Sequence, residues 1–392
     1  MNAESNLDER RHGQKRWPIR LKDRLSDSRP VRLLAAAKWS LILSLMAFLL
    51  GRAMILGELA PFAAAFFAAV FFLRRESIFW VAVALPIGSF FAYDPQSLYM
   101  IAQIAVFYCL QRGLEAFERS DVSYAPISVF ISVFAVKLFV YAVDGGLSWY
   151  DLMMTTVEGA LGFILCMIFI QAIPAVMLPR KNNRLKNEEV ICLIILLASV
   201  LTGTVGWSPG EVSIEHVLSR YLILLFALAG GGPIGATVGV VCGLILSLAD
   251  VGAIAQMSVL AFSGMLAGML REGKRIGVAG GLLLGSTILA MYISDGQELA
   301  ASITESVIAA VLFLLTPRVM IRRLSRYVPG THEHAKTQHD YAKRVRDVTA
   351  GRVEQFSEVF SQLAASFKQF SHEGESIKKE EDATNFMNDI AA

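Results

Sequence analysis

Two ionisable residues, Lys137 and Glu158, sit inside long apolar runs of this 392-residue chain. A charge in the bilayer interior is costly and marks either a function or a fixed partner. Lys137 lies in the middle of the run 125–143, and Glu158 a turn or two inside 152–178. Consecutive antiparallel helices would bring them together. Such a pair serves either as an ion or proton site or as a structural pair orienting two helices, and the structural reading is the simpler one. Arg52 and Glu58 flank the first outer turn and read as interfacial anchors. Arg220, Asp250 and Glu305 fall near the ends of apolar runs, from which long side chains snorkel to water.

Other chemistries find less support. The Gly-rich stretch 229–250 is either a broken helix of the kind transporters aim at a substrate or close helix packing through small residues. No phosphate-binding loop of the GxxxxGK[ST] type occurs. Asp144-Gly145 and Asp295-Gly296 lie in short outer loops, where they make turns. Cys109, Cys166, Cys192 and Cys242 lie in apolar runs without CxxC spacing, as packed thiols do. His332, His334 and His339 cluster, but no acidic or Cys ligand sits at a matching spacing, so no metal site is expected. The basic patches are juxtamembrane, which suits anionic lipid and not nucleic acid. Nothing here forms an acid–base constellation, so the chain itself is expected to be no enzyme, with no cofactor of its own.

The elements that carry these residues follow from composition. Hydrophobic residues make up 55% of the chain and charged residues 18%, below the quarter usual in soluble domains. The apolar residues come in runs at 33–50, 55–73, 78–92, 98–110, 125–143, 152–178, 190–207, 221–248, 251–269, 276–293 and 301–319. Backbone groups in lipid must be satisfied within the segment, so these runs predict helices. The expected fold is all-α: a polytopic transmembrane bundle of 10–12 spans, then a cytoplasmic heptad-patterned helix. The expected domains are a basic N-terminal segment (1–32), a multi-span region (33–319), a coiled-coil-like region (320–371) and a linker or disordered end (372–392).

Charge orients the bundle. With the N-terminus inside, the inner segments hold 32 of the 36 Lys and Arg residues, and of the rest only Arg52 sits in an outer turn. Loops 93–97, 144–151, 208–216 and 294–300 hold none. This is the positive-inside pattern, with both termini cytoplasmic. Residues 271–275 must be inside. That requires twelve spans if 221–248 crosses twice, or ten if it crosses once and 251–269 is re-entrant. Beyond the last span, Thr349, Val353, Phe356, Phe360, Leu363, Phe367 and Phe370 recur at spacings of four and three, a heptad seam. Its partner is another copy, making a homo-oligomer, or a downstream domain.

Several stretches resemble one family. They are Gly-Arg-Ala-Met-Ile-Leu-Gly-Glu-Leu-Ala-Pro-Phe at 51–62, Ala-Ser-Val-Leu-Thr-Gly at 198–203, and the run 260–274. Leu-Phe-Leu-Leu-Thr-Pro at 312–317, Tyr-Val-Pro-Gly-Thr at 327–331 and the run 341–357 belong with them. From about residue 40 to 370 the chain resembles the N-terminal part of the stage II sporulation protein E family. The resemblance implies about ten spans, a cytoplasmic regulatory region and then a PP2C-type serine/threonine phosphatase. It further implies assembly at the polar septum, interaction with the division protein FtsZ, and dephosphorylation of an anti-anti-sigma factor that frees the first forespore sigma factor. The sequence runs to Ala392, short of where that phosphatase would lie. No catalytic residue carries over, and manganese is implied only for the missing domain. The expected role is a membrane-anchoring, septum-targeting and self-assembly module. The alternative is a transporter or channel using Lys137, Glu158 and the break at 229–250.

Overall fold

The computed structural model describes residues 29–92, 96–116, 121–143, 148–177, 187–210, 212–249, 254–293 and 296–325. In the tail it describes 346, 357–358, 360–361 and 384. The chain divides into two compact units, 1–331 and 332–392. The first is an all-α bundle. Its helices are α1 (Arg29–Arg52), α2 (Pro61–Leu73), α3 (Ile78–Phe90), α4 (Gln96–Ala116), α5 (Ala125–Val143), α6 (Trp149–Met177), α7 (Asn187–Thr202), α8 (Ile214–Gly230), α9 (Gly232–Ala249), α10 (Ile254–Met269), α11 (Lys274–Ile293), α12 (Gly296–Leu315) and a short α13 (Arg318–Ser325). Among the described residues the only β pairing is one isolated bridge, Ile55–Leu59.

Among the described residues, four stretches are long and apolar enough to cross a membrane: 122–143, 149–177, 232–249 and 255–292. The last is α10 and α11 folded back on each other at a 3₁₀ turn, Leu270–Gly273. Shorter apolar helices occupy Trp39–Arg52, Pro61–Leu73 and Leu299–Leu315. Large apolar side chains such as Leu41, Phe79, Phe139 and Leu284 face outward, as lipid-facing positions do.

α2 is the core. Its sequence, Pro-Phe-Ala-Ala-Ala-Phe-Phe-Ala-Ala-Val-Phe-Phe-Leu, is apolar on every face, and such a helix is stable only when enclosed. Every residue from Pro61 to Phe71 is buried. At 13 residues it spans about 20 Å, less than the ~30 Å of a hydrocarbon core. The apolar run 55–73 is therefore not one helix. Its first residues make a tight turn in which Leu56 and Gly57 both have positive φ (53° and 72°), closed by reciprocal hydrogen bonds between Ile55 and Leu59.

Small residues let backbones meet. A Cβ on Gly51 would overlap the Leu85 carbonyl of α3, and one on Gly88 the Phe48 carbonyl of α1. Gly235 and Gly239 of α9 likewise press on the backbone carbonyls of Gly264 and Leu260 of α10. This is the close packing that small residues four apart permit. The Gly-rich region is thus two packed helices, broken at Gly231 (φ 81°).

Helix ends collect on two faces. On one, Arg75 pairs with Glu115 at 2.6 Å, Arg275 donates to the Thr316 carbonyl at 2.7 Å, and Arg271 lies against the α8–α9 break at Gly231. On the other, the Leu56 amide donates to the Leu248 carbonyl at 3.0 Å, and the Ile214 amide to the Trp207 carbonyl at 3.0 Å. Helices α8, α9 and α10 each run from one face to the other.

Candidate functional site

Lys137 of α5 and Glu158 of α6 meet beside the start of α2. Lys137 Nζ lies 2.6 Å from Glu158 Oε2; the carboxylate is fully buried and the lysine side chain 16% exposed. Lys137 Nζ also donates to the backbone carbonyl of Glu58 at 3.2 Å. The second carboxylate oxygen, Oε1, accepts from the Ala60 amide at 3.4 Å. Ala60 is the N-cap of α2 and its side chain can cap nothing, so a carboxylate from a neighbouring helix serves the first free amide. A negative charge there also complements the positive end of the helix dipole. The pair ties the 53–60 turn, α2, α5 and α6 at one point.

A cavity of about 290 Å³ opens beside this pair, between the start of α2, α4, the end of α5 and the start of α6. Its walls include Glu58, Asp151, Tyr99, Tyr141, Tyr150 and Gln103. These positions lie on the face opposite the basic turns.

Arg220 and Glu305 overturn the expectation that both snorkel to water. Both are buried, and Arg220 Nη1 lies 2.5 Å from Glu305 Oε2. Glu305 Oε1 accepts from the Ser213 amide at 3.1 Å and sits 3.1 Å from His216 Nδ1. Arg220 Nη2 donates to Ser302 Oγ at 2.9 Å. The cluster clamps α8 to α12. The two residues are 85 positions apart, and no spacing in the sequence announces the pair. The one available signal was the charge itself, more than a turn inside each helix.

Arg52 is more than an interfacial anchor. Its Nε donates to the Gly203 carbonyl at 2.9 Å, its Nη1 to the Phe91 carbonyl at 3.2 Å, and its guanidinium stacks over Trp207 at 4.9 Å. It joins the ends of α1, α3 and α7. A guanidinium suits this role because its planar fork donates in several directions at once.

Of the tail seam, only Phe360 is described; it is helical and 69% exposed. Val353, Phe356, Leu363, Phe367 and Phe370 lie outside the described residues, as do Asp250 and His332, His334 and His339. The four cysteines are free thiols, Cys166 and Cys242 buried. Among the described residues no three His, Cys, Asp or Glu side chains converge as metal ligands would, so no residue here is assigned to manganese.

Fold and buried ion pairs define the class first: an all-α bundle of membrane helices, locked by charges paired inside it. Within that class, the chain belongs to the SpoIIE N-terminal domain family, whose model matches residues 2–325. A second family model, SpoIIE regulatory domain, matches residues 337–392. The chain is 43% identical over 344 residues to stage II sporulation protein E of Bacillus subtilis (strain 168), covering 88% of this chain and 42% of that protein. It is 50% identical over 148 residues to stage II sporulation protein E of Priestia megaterium, covering 37% of this chain and 25% of that protein. The chain thus spans well under half the length of the curated relatives it matches. No solved structure matches it.

Proposed function

We propose that this chain is the membrane-anchoring, septum-targeting and self-assembly part of a sporulation protein. In complete form that protein would carry a PP2C-type, manganese-dependent serine/threonine phosphatase. It would act on an anti-anti-sigma factor and so release the first forespore sigma factor. The observation that carries this reading is the order of matches: an N-terminal membrane region followed directly by a regulatory region, over 2–325 and 337–392. The anchor crosses the bacterial cell membrane twelve times, with both ends cytoplasmic. Support comes from α8, α9 and α10, each of which runs from one end of the bundle to the other, with Arg271 against the α8–α9 break. FtsZ and other septal proteins are the expected partners at the division site, alongside membrane lipids.

A bundle tied at its charges suits an anchor, and enrichment in one membrane zone raises the effective concentration of anything attached to it. The heptad seam of the regulatory tail would then assemble copies of the chain. Light scattering on the purified chain tests the assembly step. Phe360→Asp is expected to abolish oligomers while membrane insertion persists; unchanged oligomers would remove the seam from the account. One observation favours the transport alternative, the cavity that reaches Lys137 and Glu158. Against it, both side chains are committed to holding the turn 53–60 and the start of α2.

A further inference from the structure

The cavity beside Lys137 and Glu158 is lined by acidic, amide and tyrosine side chains that the ion pair itself does not use. We propose that it is a binding site for a small organic polycation: an alkyl chain carrying two or more ammonium groups.

The charge balance comes first. Three carboxylates, Glu58, Asp151 and Glu158, share the cavity with a single cation, Lys137. Lys137 is already engaged by Glu158 and by the Glu58 carbonyl. Glu58 and Asp151 form no ion pair among the described residues. Among the described lining residues an anionic ligand would find no uncommitted cation, whereas a cationic ligand finds Glu58 and Asp151, two carboxylates without a cationic partner, Asp151 Oδ2 accepting only from the Ser148 amide at 3.2 Å.

The walls narrow the class. Met100 and Val140 offer apolar surface to an alkyl stem, and Tyr99, Tyr141 and Tyr150 offer ring faces, which attract ammonium groups. The carboxylates are spread around the cavity and do not converge as metal ligands would, so a divalent ion would lack the several close oxygens it requires. The volume of about 290 Å³ lies at the small end of ligand sites.

Gln103 supplies an independent observation. It is 3% exposed, lines the cavity, and has no hydrogen-bond partner among the described residues. Its amide is not sealed off in the protein interior but opens on the cavity, where an occupant can reach it. Its carbonyl oxygen would accept from an ammonium N–H. Glu58 and Asp151 at the cavity carry negative charge, which draws cations to it.

Isothermal titration of the full chain in zwitterionic-lipid nanodiscs, at physiological salt, tests the proposal with spermidine as probe. Saturable one-to-one binding is expected, weakened at least about tenfold in the Glu58→Gln/Asp151→Asn double variant. Gln103→Leu, which removes an acceptor from the cavity wall, should also weaken it in protein whose thermal midpoint is unchanged. Glu115→Gln, on the opposite face, should leave it unchanged. Three results would each overturn the proposal: no saturable binding in the millimolar range, equal binding by the double variant, or magnesium binding as tightly as spermidine with the same dependence on Glu58 and Asp151.

Discussion

Two buried ion pairs lock this bundle, and they differ in how they use their neighbours. Lys137–Glu158 joins adjacent helices and serves the start of a third. Arg220–Glu305 joins helices far apart in sequence and draws in His216, Ser213 and Ser302. Removing one partner of such a pair leaves an uncompensated buried charge, at a cost of about 3–5 kcal/mol. Glu158→Gln should therefore lower the thermal midpoint of the purified protein sharply, and Lys137→Met added to it should recover most of the loss. A double variant as unstable as the single one would show that the carboxylate acts through α2 alone. The first pair was legible in the sequence because its members lie on consecutive helices. The second was not: the nearness of Arg220 and Glu305 to the ends of their apolar runs suggested water as their partner, and only the crossing of α8 by α12 reveals otherwise.

Among the elements, the helices most legible in sequence were those bounded by clear polar turns. The run 125–143 became α5 with the same limits, and 276–293 became α11 within two residues. The run 55–73 was misleading because an apolar stretch does not record φ. Leu56 and Gly57 break it by turning left-handed, and what remains is a short helix buried on all sides. The stretch 229–250 offered two meanings, a break and close packing, and the structure holds both: a break at Gly231 and glycines pressed against α10. Gly239→Ala should then destabilise the protein markedly, because even a methyl group overlaps the Leu260 carbonyl. Gly280→Ala is the matched control. That glycine lies inside α11 with open space where a Cβ would be, so alanine should stabilise by about 0.5–1 kcal/mol. Chemical or thermal denaturation of the two variants side by side reads both signs, and equal effects would refute the close approach of α9 and α10.

At the scale of the whole chain, the inner segments of the proposed topology hold 32 of the 36 Lys and Arg residues. The proposed twelve crossings would place the α8–α9 break, which lies against Arg271, on the inner side. A ten-crossing arrangement would bury that break in lipid. Pro233 is exposed beside it, so Pro233→Cys, in a background lacking native cysteines, should react with an impermeant maleimide in inverted vesicles and not in intact cells. Protection in both would argue for ten. The central claim, that the membrane region and its regulatory tail carry targeting, is tested most directly by imaging a fluorescent fusion of residues 1–392 in sporulating cells. Recruitment to the polar septum is the predicted result. Uniform fluorescence around the membrane would contradict the claim and place targeting elsewhere in the complete protein.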